Sequence, residues 1–278
     1  MNRIRSFVLI LIVSIIALPA GAQAFGAGIS AGAVKLANGA SQTDLNGIIG
    51  VAPASWLSIT ATLSEVHIAE TVSGSTATSN GVGDLPIAIG AARTFPGRGS
   101  VELGAALDLT LPTGNSGAGL GTGSTAASAG LGIGGSPTPR LRFAAAASRS
   151  LTGDAGTSAL SPSRATSLAF EGQYAFTPRW SGALSLIADV GPADSALALD
   201  RSIGIGGRYE VHGPVAFTLD AARGLTSSSP RWAIVIGFGT TFGGNNPAGG
   251  ELSSKRLAHA VSKSVGRGQG SGKVGRHP

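Results

Sequence analysis

Of 278 residues, 44 are glycine, 12% are charged and none is cysteine, which excludes a disulfide-stapled scaffold and any thiolate metal site. The net charge of +6 is unevenly spread: residues 25–250 hold twelve Lys/Arg and thirteen Asp/Glu, whereas 251–278 hold six Lys/Arg against Glu251 alone. A body of net −1 gives nucleic acid nothing to bind, so no nucleic-acid partner is expected.

Residues 1–24 read as a secretory signal peptide. Arg3 and Arg5 precede the apolar run Phe7 to Leu18, and Pro19 with Ala22-Gln23-Ala24 offers a small-residue cleavage site. The alternative, an uncleaved anchor, meets a run too short for a comfortable span. After Ala24 no window holds 18 consecutive apolar residues, so any later crossing of a membrane requires strands closed into a barrel.

Period-2 alternation between turn signals predicts twelve strands, at roughly 25–37, 44–52, 56–66, 84–94, 100–111, 124–135, 140–150, 164–177, 180–190, 199–211, 215–224 and 231–242. In the fifth, Val101, Leu103, Ala105, Leu107, Leu109 and Leu111 oppose Glu102, Gly104, Ala106, Asp108 and Thr110. Short turns are read at Pro53-Ala54-Ser55, Pro96-Gly97-Arg98, Ser136-Pro137-Thr138-Pro139, Thr177-Pro178-Arg179 and His212-Gly213-Pro214. Longer Ser/Thr/Gly/Asn-rich loops are read between them, notably 67–83, 112–123, 151–163 and 191–198. Short periplasmic turns alternating with long extracellular loops are the outer-membrane pattern, and an even strand count puts both barrel ends on the short-turn side.

Thirteen aromatics follow Ala24, and eleven lie near a short turn or a barrel end: Phe25, Trp56, Phe95, Phe143, Tyr174, Phe176, Trp180, Tyr209, Phe217, Phe238 and Phe242. That segregation predicts a girdle at the periplasmic interface. The rival β-sandwich would scatter its core aromatics along the strands. In the last segment Trp232, Ile234, Ile236, Phe238 and Phe242 share a face with Thr240, against the smaller Ala233, Val235, Gly237, Gly239 and Thr241. Bulky apolar residues on one face and no charge on the other fit lipid outside and a lumen inside.

The sequence therefore predicts an all-β transmembrane antiparallel barrel over 25–242, in the outer membrane and in contact with its lipid. Asn245-Asn246-Pro247-Ala248-Gly249-Gly250 breaks any further strand. Residues 243–278 are expected to form a disordered basic tail, with at most weak, salt-sensitive contact with anionic periplasmic material.

Several short motifs carry a resemblance. Gly83-Asp84 opens a strand, Leu107-Asp108-Leu109-Thr110-Leu111-Pro112-Thr113-Gly114 ends one, Gly121-Thr122-Gly123-Ser124 follows, and Gly207-Arg208-Tyr209 comes late. Together, over most of 44–242, they resemble the outer-membrane proteins grouped with the meta-pathway of phenol degradation, a transporter family of small barrels. The resemblance implies passive uptake of small apolar or aromatic molecules. The strand ending at Phe242 looks like the closing signal read by the bacterial barrel-assembly machinery. Here the chain departs from that family by running on for 36 residues past Phe242.

No enzyme is expected. The four histidines are His67 and His212, read in connections, and His259 and His277 in the tail, none beside a serine on the barrel wall. No His/carboxylate cluster has metal-ligand spacing, and Gly117–Gly123 lacks the lysine and helix of a phosphate loop, so no metal or cofactor is expected. Strand phase turns Glu102, Asp108, Arg142, Glu171, Gln173, Asp189, Arg208, Glu210 and Asp220 inward. Such charges either line a solute path or pair across the interior and fill it. The first gives a channel; the second gives a structural or surface-interaction barrel.

Overall fold

The computed structural model describes residues 24–72, 75–96, 100–151, 166–190, 200–212 and 215–240. Residues 1–23 of the expected signal peptide, Phe242 and the expected tail 243–278 lie outside the described residues. In chain order the strands are β1 (Ala24–Lys35), β2 (Ser41–Ala54), β3 (Leu57–Val72), β4 (Ser75–Val82), β5 (Leu85–Phe95), β6 (Ser100–Leu111) and β7 (Ala126–Thr138). They continue as β8 (Leu141–Ser150), β9 (Thr166–Ala175), β10 (Trp180–Val190), β11 (Arg201–His212), β12 (Val215–Gly224) and β13 (Trp232–Thr240).

All pairings are antiparallel, and β1 pairs with both β2 and β13, so the sheet closes on itself. Closure satisfies every edge, which lipid demands. The ring holds twelve strands because β4 and β5 are two halves of one. β3 pairs through Leu57–Ala61 with β5 and through Glu65–Val72 with β4. The pairing slips by one residue between Ala61↔Ile87 and Glu65↔Val82, which makes Gly83-Asp84 a bulge.

This corrects the reading of 67–83 as a loop. His67 lies in the ladder, opposite Thr43 on one side and Asn80 on the other. The segment 75–82 (Ser-Thr-Ala-Thr-Ser-Asn-Gly-Val) has no apolar stripe, so hydrophobic alternation cannot reveal it. A ladder that rises out of the membrane needs no apolar face, and its threonines favour extended backbone.

Side-chain size sorts the two faces. On β13, Ile234, Ile236 and Phe238 are 43–50% exposed, whereas Ala233 and Val235 are 1% and 6% exposed. Leu103, Leu131, Phe170, Leu184, Ile205 and Leu219 extend the bulky outer belt round the ring. An apolar belt this continuous belongs in lipid, since water tolerates only small patches. At the end holding the start of β1 and the close of β13, five connections of two to four residues join successive strands. The exposed rings of Trp56, Phe95, Tyr174, Phe176, Trp180, Phe217 and Phe238 gather there. Tyr174 and Phe176 meet edge to face at 5.3 Å, and Trp180 tilts over Tyr209 at 4.6 Å. By the short-turn rule this is the periplasmic end.

Candidate channel lumen and its two mouths

The inner face is built largely from small residues: Gly28, Ser30 and Gly32 on β1, Gly130, Gly132 and Gly134 on β7, Gly204 and Gly206 on β11. Two of these glycines make room for a neighbour's carboxylate. The Asp220 carboxylate lies where a Cβ on Gly206 would stand, and Asp44 Oδ1 would be 2.7 Å from a Cβ on Gly32. Both acids therefore lie flat along the wall.

The charged residues of the periplasmic third behave alike. Arg142 Nη2 on β8 reaches Glu102 Oε2 on β6 at 3.4 Å, passing over the intervening β7. Arg208 Nη2 meets Glu210 Oε1 at 3.5 Å along its own strand β11. Gln173 Nε2 donates to Ser181 Oγ at 3.0 Å between β9 and β10. Arg142, Gln173, Arg208 and Glu210, with Arg140, Arg179 and Trp180 from the turns, surround a cavity of about 210 Å³ at this mouth. Arg142 and Glu102 are thus joined along the wall, a shorter reach than pairing across the interior.

The other acids sit higher. Glu171 stands opposite Ala144 and Ser185, and Asp220, 6% exposed, stands opposite Gly206 and Val235. Asp108 Oδ2 accepts from Ser128 Oγ at 3.4 Å, and Asp189 faces Ser167 across the β9–β10 ladder. Asp200, at the chain's return to β11, is pushed up to about 6. Burial is the main cause, and the like charge of Asp189 adds to it against the hydroxyls of Ser228 and Ser229. Ser229 is 2% exposed and staples its loop to β11: Arg201 N donates to Ser229 Oγ at 2.9 Å, and Ser229 Oγ donates to Arg201 O at 2.8 Å.

One residue of this mouth was not singled out for its side chain. Asp84, turned inward by the β4–β5 bulge, is 1% exposed and holds the whole 112–125 connection. Oδ1 accepts from Gly114 N at 3.0 Å, and Oδ2 accepts from Thr122 N at 2.8 Å and Thr122 Oγ1 at 2.9 Å. Thr113 Oγ1 donates to Gly83 O at 2.9 Å. Gly83-Asp84, Thr113-Gly114 and Gly121-Thr122, separate motifs in the sequence, thus form one knot. Gly121 is required because a Cβ there would strike both Asp84 Oδ1 and Gly114 O. The knot seats Leu120, 3% exposed, against the inner side of β4 beside Gly81. The signal for this was available: an acid directly after a strand-breaking glycine, with two Gly-Thr or Thr-Gly pairs downstream.

No family model and no curated protein matches the chain. Solved structures do resemble it. A COG4313 outer membrane channel from Pseudomonas putida F1 superposes with TM-score 0.62 at 15% identity, covering 81% of this chain and 96% of that one. The NanC porin gives 0.52 at 10% identity, covering 77% and 99%. The KdgM porin gives 0.50 at 10% identity, covering 78% and 99%. With its apolar exterior and closed twelve-stranded ring, the chain has the fold of outer-membrane channels and porins.

Proposed function

We propose that the protein is a passive channel of the outer membrane for small molecules. The observation that carries this reading is the inner wall: Gly, Ala and Ser predominate, and Asp44, Asp220, Arg142 and Arg208 fold along it. Small residues and wall-bound charges leave the axis to solute, whereas a filled lumen calls for long side chains meeting in the middle. The fold likeness to channels and porins supports the same reading. Glu102, Arg142, Gln173, Arg208 and Glu210 then line the periplasmic stretch of the path, and Asp108, Glu171, Asp189 and Asp220 the remainder.

Apolar or aromatic small molecules are the proposed solutes. Support comes from the Gly83-Asp84, Leu111-Pro112-Thr113-Gly114 and Gly121-Thr122-Gly123-Ser124 motifs, which resemble the phenol meta-pathway transporters. The test is uptake of aromatic acids, phenols and sugars of similar size by a deletion strain, with and without the gene restored. Equal uptake of all three classes in both strains would refute the channel; restored uptake of sugars alone would refute the solute class.

A second reading, a barrel closed at its outer mouth, draws on the Asp84 knot that holds Leu120 inward. Planar-bilayer recording separates the two, because a closed barrel passes no current until the knot is cut.

A further inference from the structure

We propose that the outward face of β11, β12, β13 and β1, at its extracellular edge, binds the phosphate groups of the outer-leaflet glycolipid. Three cations meet there, Lys35, Arg201 and Arg223. Lys35 is in register with Trp232 across β1 and β13, and Arg231 N donates to Lys35 O at 2.7 Å. Continuing the Ala222↔Ala233 pairing by one step puts Arg223 beside Trp232 on its other flank. Arg201 lies two residues above Ile203, the partner of Arg223. Adjacent strands are about 4.8 Å apart, so the Arg223–Trp232–Lys35 row spans about 10 Å, within reach of one phosphorylated headgroup. Arg201, Arg223 and Arg231 are exposed.

The charge there is of one sign. Among the described residues, the outward faces of these four strands carry no Asp or Glu. Asp44, Asp189 and Asp200, at this height, belong to the inner side, and the outward Glu65 lies away on β3. Directly below the cations the same faces present Ile29, Ile203, Ile205, Leu219, Ile234 and Ile236. Cations over an apolar wall match an amphiphile with an anionic head and acyl chains.

The other end of the same strands argues for one leaflet. There the outward residues are Tyr209, Phe217 and Phe238, with no cation among them. Ordinary phospholipid in both leaflets gives no reason for these four strands to carry outward cations at one edge only. An outer leaflet denser in phosphate does.

The test uses the mature chain in detergent, titrated with bisphosphorylated lipid A, the same lipid stripped of phosphate, and phosphatidylglycerol, with bound lipid counted by native mass spectrometry. The wild-type protein should retain bisphosphorylated lipid A roughly tenfold better than either comparison lipid. Lys35→Gln/Arg201→Gln/Arg223→Gln should abolish that preference, Arg201→Lys/Arg223→Lys should keep most of it, and Arg93→Gln at the periplasmic girdle should leave it intact. Heat-modifiable gel mobility establishes that each variant is folded, and single Arg223→Gln serves if the triple variant fails to assemble. Equal retention of phosphatidylglycerol, equal retention of the stripped lipid, or an undiminished preference in the folded Gln variants would each overturn the proposal.

Discussion

The two ends of the barrel reverse each other. On β11, β12, β13 and β1 the periplasmic end turns aromatic rings to lipid and Arg208 to the lumen, while the extracellular end turns its cations outward and Asp220 inward. Arg142 and Arg208 are inside below, while Lys35, Arg201 and Arg223 are outside above. The same alternating backbone serves both, because shifting a residue by one position moves it to the other face. What differs is the tie that holds each mouth. Ion pairs along the wall hold the lower one, and a single buried carboxylate receiving backbone donors holds the upper one. That difference predicts unequal sensitivity to substitution.

The largest effect is expected at the upper tie. Asp84→Ala removes the acceptor of three hydrogen bonds and should cost about 3 kcal/mol, with the thermal midpoint in detergent falling accordingly. Gly121→Val should act similarly, because its Cβ collides with Asp84 and Gly114. Both should raise or destabilise single-channel current by freeing Leu120. If the midpoint and the current both stay at the wild-type level, the knot does not hold that mouth.

At the lower end the losses should be smaller. Arg142→Ala leaves Glu102, whose side chain is 14% exposed, without this cation, whereas Arg208→Ala leaves the 47% exposed Glu210. The first should cost about 1–2 kcal/mol and the second under about 1 kcal/mol, since exposed carboxylates recover water. Both should shift reversal potentials toward cation selectivity. Equal and large losses of stability with unchanged selectivity would mean that the arginines hold the barrel and do not line a path.

Much of this asymmetry could be read from the sequence. All twelve ring strands appear in the alternation, because bulky apolar and small residues take turns along them. The aromatic girdle shows equally, since bulky rings flank the Pro/Gly turns. Hidden were the features with no period. β4 carries only hydroxyl, amide and small residues over most of its length, and its partner beyond Glu65 breaks its apolar run with His67, Glu70 and Thr71. The Asp84 knot joins residues 30 and 38 positions apart, a proximity created by barrel register. Strand phase also gave directions without reach. It placed Arg142 on a face, but not the reach of its guanidinium over the intervening strand to Glu102 at 3.4 Å.

A modest effect is expected from the girdle. Trp180→Ala removes a ring 4.6 Å from Tyr209 and should lower stability by about 1 kcal/mol beyond its lost lipid contact. Trp232→Ala, at the opposite end and without a ring partner among the described residues, offers the contrast: it should disturb stability less. Equal losses would show that lipid contact alone, and not ring pairing, sets the contribution of the girdle.

The smallest effect sharpens the inward acidity of the upper mouth. Asp200 ordinarily titrates near 3.8, and its burial beside Asp189 pushes it up to about 6 in the folded chain. A carboxyl whose folded value is raised favours the folded state while protonated, so its contribution is complete below about 3.8 and is lost as pH rises through about 6. The barrel should therefore melt at a slightly lower temperature at pH 7.5 than at pH 4.5 on this account. Asp200→Asn cannot ionise, so it should flatten that part of the profile and gain a little stability at pH 7.5. Asp200 Oδ1 meets no donor among the described residues, so the amide also gives up no hydrogen bond at that atom. A profile as steep in Asp200→Asn as in the wild-type protein would assign the pH response to other acids of the mouth.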